Sequence, residues 1–170
     1  MIVHTDRLVL RPVQRDDVEP LWAIHGDPET HRYNPAGPLP SRAAAEELLR
    51  QWTSHWQDHG FGYWALATRE RPCIVIGFGG LRLRYFREAE RLDLYFRLAT
   101  STWGKGYATE MGHAAVALAF GQLGHEAVFA TTRPDNQPSI AALRRLGFQP
   151  DGEVADDRGM PSYVYVRHHG

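Results

Sequence analysis

Trp103-Gly104-Lys105-Gly106-Tyr107-Ala108-Thr109 stands between a stretch of strand character and a stretch of helix character. Upstream, Arg91 to Leu98 mixes apolar and charged residues. Downstream, Ala108, Met111, Ala115, Leu118 and Ala119 fall on one helical face. Two glycines let the backbone bend tightly and come close to a ligand. Amides at a helix start have no intrahelical acceptor, and the helix dipole adds positive potential there. The turn is therefore a natural seat for a pyrophosphate. A Walker A loop needs a different glycine spacing, ending in Gly-Lys-Ser/Thr. A dinucleotide fingerprint needs a third glycine where Thr109 stands. A glycine-rich turn without a ligand is the plain alternative.

Working outward, Arg7-Leu8-Val9-Leu10-Arg11-Pro12-Val13 alternates and predicts a first strand. Asp16-Asp17 suit a helix start ahead of Val18, Leu21, Trp22 and His25. Residues 26–40 are rich in proline and glycine and predict a loop. Ser41 is an N-cap candidate for a long helix to about Asp58, closed by Gly60. Phe61 to Ala67, Cys73 to Leu83 and Glu88 to Leu98 predict three strands with short connections, hence an antiparallel meander. A helix after the glycine turn reaches about Leu123. Glu126 to Thr132 reads as a strand and Asn136 to Leu146 as a helix closed by Gly147. Gln149 to Val154 and Ser162 to Arg167 read as a closing hairpin.

The 170 residues suit a single domain spanning 1–170, with 43% hydrophobic and 23% charged residues. A formal net charge of -1 argues against a dedicated partner among nucleic acids or anionic membranes. One cysteine, Cys73, builds neither a disulfide framework nor a cysteine metal site, and a cytoplasmic location is the expectation. The N-terminal residues lack the pattern of a signal peptide, and no apolar run approaches a membrane span.

A second segment, Arg133-Pro134-Asp135-Asn136-Gln137-Pro138-Ser139, opens a helix that ends in Arg144-Arg145-Leu146-Gly147-Phe148. The pair "WGKGYATE" and "NQPSIAALRRLGF", about 30 residues apart, resembles the Gcn5-related N-acetyltransferases. "TDRLVLRPV", "GDPE" and the order of elements resemble the branch that acetylates ribosomal-protein N termini and related amines. The resemblance implies an α+β fold: a mixed, mostly antiparallel sheet of six to seven strands flanked by about four helices. It also implies acetyl-CoA as cosubstrate, no metal, and an amine as the other partner. Oligomeric state is not readable.

By the same resemblance, the amides of Gly104, Lys105, Gly106, Tyr107, Ala108 and Thr109 hold the pyrophosphate. Ser101 stands where the family usually has Gln or Arg. Phe96 and Leu98 are implied to bond the pantetheine arm through their backbone, with an amide near Leu98 polarising the thioester carbonyl. Asn136 has an amide suited to the pantetheine amides, and equally to capping its helix. Ser139 is the candidate to meet the thiolate, since Leu143 occupies the position where many relatives carry tyrosine. Asp93 matches a position usually held by Glu. It shares a strand face with Tyr95 and Arg97 and reads either as a general base or as an ion-pair partner of Arg84 or Arg91. Tyr33 and Trp56 fall in the region that lines the acceptor site in the family.

Acetyl transfer by direct attack needs a neutral amine. A lysine side chain is neutral in about one molecule in 2,500 at pH 7, and an α-amine in roughly one in ten. A base-poor site therefore favours α-amines or weakly basic amines, and lysine stays open where a carboxylate or desolvation lowers its pKa. A non-catalytic acetyl-CoA sensor and a nucleotide-phosphate module are the rival functions. His55 and His59, spaced i,i+4, read as surface histidines, because Trp56 takes the place of the Glu in a metalloprotease motif. Gly77-Phe78-Gly79-Gly80 reads as a bulge or a close helix contact.

Overall fold

The computed structural model describes residues 1–170. Eight strands form one sheet: β1 (Val3–His4), β2 (Leu8–Pro12), β3 (Tyr63–Thr68), β4 (Gly77–Phe86), β5 (Ala89–Leu98), β6 (Ala127–Thr132), β7 (Gln149–Ala155) and β8 (Pro161–His168). Their spatial order is β1-β2-β3-β4-β5-β6-β8-β7. Every neighbouring pair is antiparallel except β5 and β6. The sheet exceeds the expected six to seven strands because the two-residue β1 pairs with β2, a segment too short to show a period.

Four α-helices accompany the sheet: α1 (Val18–His25), α2 (Arg42–His59), α3 (Tyr107–Phe120) and α4 (Gln137–Arg145). Ser41 caps α2 by accepting from the Ala44 amide at 3.1 Å, and left-handed Gly60 closes it. The predicted 26–40 loop contains a short 3-10 turn, Pro28–His31, where Asp27 accepts from the Glu29 amide.

The sheet separates two apolar layers. One joins Leu8, Leu10, Leu66, Leu81, Leu92 and Val128 to α3 and α4 through Met111, Ala115 and Leu143. The other packs α1 and α2 on the opposite face, with Leu21, Trp52, Tyr63 and Phe78. Gly79 permits the first contact. A Cβ there would lie 2.7 Å from Met111 Cε and 2.7 Å from the Tyr95 carbonyl oxygen. Cys73, expected early in a strand, sits exposed in the turn before β4. Proline at position 72 and the bend it joins delay the ladder to Gly77.

Candidate active site

The central feature is a gap in the sheet. β5 and β6 share one parallel bridge, Asp93 with Phe129, and then separate. Register shows what the free part of β5 exposes. Arg87 and Glu88 form a two-residue turn, both at positive φ, which makes Phe86 and Ala89 the closing pair. The Ala99 amide donates to the Ile76 carbonyl in the same register. In an antiparallel ladder such pairs alternate with pairs whose backbone groups face away. Phe96 and Leu98, opposite Gly79 and Gly77, belong to the second kind. Their amides and carbonyls face the gap. The Leu98 carbonyl there accepts from Trp103 Nε1 at 3.0 Å, which ties the glycine turn to the strand end.

The glycine turn lies just beyond. Gly104 and Gly106 have φ of 75° and 79°, and Gly106 is the left-handed N-cap of α3 with no side-chain cap bond. The first backbone bond of the helix runs from the Glu110 amide to the Gly106 carbonyl at 3.0 Å. Amides from Gly104 through Thr109 donate to no acceptor in the chain. Lys105 is exposed, and Tyr107 and Ala108 are half-buried.

The turn is braced by two residues that sequence reasoning passed over. Arg7 Nη1 donates to the Lys105 carbonyl at 2.7 Å, and the Arg7 guanidinium sits 4.7 Å from the centre of the Tyr107 ring. Glu110, in the first turn of α3, accepts from Thr5 Oγ1, the Arg7 amide and Arg7 Nε at 2.6–2.7 Å. Burial opposes ionisation of Glu110, but the bonds from Thr5 and Arg7 outweigh it and hold the carboxyl below its usual range. Both residues were visible in the quoted motifs. Their partnership was not.

A cleft of about 680 Å³ opens at the gap, lined in part by Tyr33, Phe96, Arg97, Asn136, Ser139 and Leu143. Asn136 caps α4, its Oδ1 accepting from the Ser139 amide at 3.2 Å. The Asn136 amide nitrogen stays available, and the Ser139 hydroxyl is half-buried on the cleft wall.

Asp93 does not line this cleft. It is buried and accepts from Arg84 Nη1 at 3.1 Å, while Arg84 also reaches Thr131 Oγ1 at 3.3 Å. Burial raises the Asp93 pKa to about 6, against the pull of Arg84. Of the two sequence readings, the ion pair is the contact present, and its partner is Arg84. Trp56 is a correction. Its indole N–H donates to the Tyr63 carbonyl at 2.7 Å and its ring packs on the core, so the structure does not bring it to the cleft. The side of α2 that faces the sheet is committed to packing. His55 also differs from a surface histidine. It is half-buried, its Nε2 accepts from the Leu83 amide at 3.2 Å, and its Nδ1–H donates to the Phe61 carbonyl at 2.9 Å.

The sequence model of the acetyltransferase (GNAT) domain matches residues 7–149. The chain belongs to that family. This GNAT protein is 27% identical over 154 residues to an uncharacterized N-acetyltransferase, p20, of Bacillus licheniformis, covering 91% of this chain and 85% of the relative. Among solved structures, an acetyltransferase from Agrobacterium tumefaciens superposes with a TM-score of 0.85 at 22% identity, covering 99% of this chain and 95% of that one. An aminoglycoside acetyltransferase in complex with coenzyme A superposes at 0.78 with 18% identity, covering 95% of each chain. At these identities the structural likeness establishes the shared fold. No helix of this GNAT protein is long and apolar enough to cross a membrane, and no group of three or more His, Cys, Asp or Glu is placed to hold a metal ion.

Proposed function

We propose that this protein transfers the acetyl group of acetyl-CoA to a primary amine by direct attack within a ternary complex. The carrying observation is the gap after the single Asp93–Phe129 bridge, flanked by the unpaired amides at the start of α3. The backbone groups of Phe96 and the Leu98 amide, which face the gap without a strand partner, have the spacing of a strand lacking its neighbour, and a pantetheine arm with two amides fills that role. Amides of Gly104 through Thr109 then hold the pyrophosphate, with the α3 dipole adding to the attraction. The coenzyme A bound by the aminoglycoside acetyltransferase of the same fold supports this reading.

The neutral amine nitrogen attacks the thioester carbonyl carbon, and the carbonyl oxygen gains charge. An amide near Leu98 donates to that oxygen in this reading, a role for which loss of one donor costs about 10²–10³ in rate elsewhere. The C–S bond then breaks and the electron pair leaves on sulfur; the proton shed by the nitrogen passes to that thiolate through solvent, giving CoA as the thiol, while Ser139 donates a hydrogen bond to the departing sulfur. Tyr33 borders the acceptor side. The N-terminal α-amine of a protein and the amine of a small molecule both meet the requirement of a neutral nucleophile.

Thermal unfolding with acetyl-CoA, CoA, ATP and NAD tests the cosubstrate. A ligand at a hundred times its Kd adds about 2.7 kcal/mol to stability. Shifts with acetyl-CoA and CoA alone, followed by thiol release with an amine, support the proposal. A shift with ATP or NAD instead rejects it.

A further inference from the structure

Four arginines line the cleft: Arg84, Arg87, Arg97 and Arg133. Three have carboxylate partners within the chain. Arg84 pairs with Asp93, Arg87 with Asp151, and Arg133 with Asp156. Asp157, also on the wall, is exposed and its charge bears on Arg84. Arg97 has no such partner. Its Nε donates to the Tyr95 hydroxyl at 3.0 Å and its Nη1 to the Thr30 carbonyl at 2.7 Å, both neutral acceptors.

A guanidinium carries five N–H donors, so three remain on Arg97 after these two bonds. The group is held firmly. Tyr95 stacks on Tyr63 with ring centres 4.9 Å apart and touches Trp52. Its hydroxyl lies 2.8 Å from His25 Nε2. Arg97 donates to the Tyr95 oxygen, and the same hydroxyl shares a hydrogen bond with the neutral imidazole of His25. Burial first, and then the charge of Arg97, push His25 down to about 3 and His31 to about 4. The groups packed around Arg97 thus leave its charge unanswered, on the strand whose Phe96 backbone and Leu98 amide face the gap.

We propose that Arg97 binds a carboxylate carried by the acceptor, so the amine acetylated at this site belongs to a molecule with a carboxylate close to that amine. Planar, bidentate pairing is what a preorganised guanidinium offers to a carboxylate. A polycationic acceptor would meet like charge here. This inference rests on the acetyl-transfer reading for its site. The carboxylate has two sources: the α-carboxylate of an amino acid, or the side chain of an acidic residue at a peptide N terminus.

The test compares acid with carboxamide. Thiol release is measured for phenylalanine, leucine, methionine and glutamate, for their carboxamides, and for the dipeptide amides Asp-Ala-NH2 and Asn-Ala-NH2. At least one acid is expected to exceed its amide by about tenfold or more in kcat/KM, chiefly through KM, as a charge-assisted bond requires. Preference within the amino acids identifies the α-carboxylate, and preference for Asp-Ala-NH2 over Asn-Ala-NH2 identifies a side chain. Arg97→Gln should erase the preference and Arg97→Lys should restore part of it. Calorimetry on the CoA-loaded protein with the N-acetylated acids and amides reads recognition without turnover. Better binding of the acids with no thiol release from any amine would sink acetyl transfer and leave carboxylate recognition standing. Equal treatment of acid and amide in both assays, or an Arg97→Gln variant that lowers both alike, overturns the proposal.

Discussion

Arg7 Nε and a carboxylate oxygen of Glu110 lie 2.6 Å apart although 103 residues separate them in the chain. The pair fastens the start of α3 to the turn before β2, and Arg7 continues to the Lys105 carbonyl. With Arg7 about half exposed, the ion pair alone contributes little. Its value lies in holding the amides of the glycine turn in one arrangement. Glu110→Gln should therefore weaken CoA binding by about 3- to 10-fold, near 1 kcal/mol, with a smaller change in melting temperature. Calorimetry decides it, and an unchanged Kd in a folded variant would show that the turn holds its shape unaided. The Glu110 carboxyl sits below its usual value, so this bracing is present above the ordinary pKa of 4.5 and is lost as pH falls through the lower folded value.

Gly104 separates charge from conformation. A Cβ there meets nothing within 4 Å, but φ is 75°, a region that Asn tolerates better than most residues. Gly104→Asn should bind CoA a few-fold more weakly than the parent. Gly104→Asp, which adds a negative charge at the pyrophosphate seat, should be at least about tenfold weaker again. Equal affinities for the two variants would place the pyrophosphate elsewhere.

Ser139 has a split role that kinetics can resolve. Its amide is committed to the Asn136 cap, while its hydroxyl faces the cleft. Ser139→Ala keeps the amide bond and removes only the hydroxyl. Turnover should fall about 10- to 100-fold, as for a lost hydrogen bond to a charged group, with CoA affinity nearly constant. A rate equal to the parent's would remove Ser139 from the chemistry.

Buried His25 and half-buried His31 pull stability one way with pH and Asp93 the other. His25 and His31 are held at about 3 and about 4 by burial, with Arg97 adding to it, against an ordinary 6.5. Below pH 6.5 the unfolded chain takes up protons that the folded chain refuses, so stability falls with pH down to about 4. Asp93 is raised from 3.8 to about 6 by burial, so between those values the folded state holds a proton that the unfolded state releases. Its contribution grows as pH falls. Asp93→Asn removes that compensation, and its urea midpoint should drop more steeply than the parent's between pH 6 and pH 4. Parallel curves would mean that Asp93 ionises normally.

Order of elements, the glycine turn and the helix caps at Ser41 and Asn136 were legible in the chain itself. Periodicity, left-handed glycines and cap preferences act over a few neighbouring residues, so those residues suffice to encode them. The same locality explains the errors. Cys73 lay in an apolar stretch whose start as a strand depended on where β3 stopped pairing. Trp56 and His55 belonged to a helix face whose partner, the β3–β4 region, no local pattern names. The sequence by itself determined the classes of element, the turn at 103–109 and, through two motifs, the family. Tertiary structure alone decided that β5 and β6 part after one bridge, that Glu110 braces Arg7, that Arg84 takes Asp93, and that Arg97 is left without a carboxylate. Which charges meet is settled by packing across the sheet between residues far apart in the chain, and Coulomb attraction over a few ångströms depends on that placement.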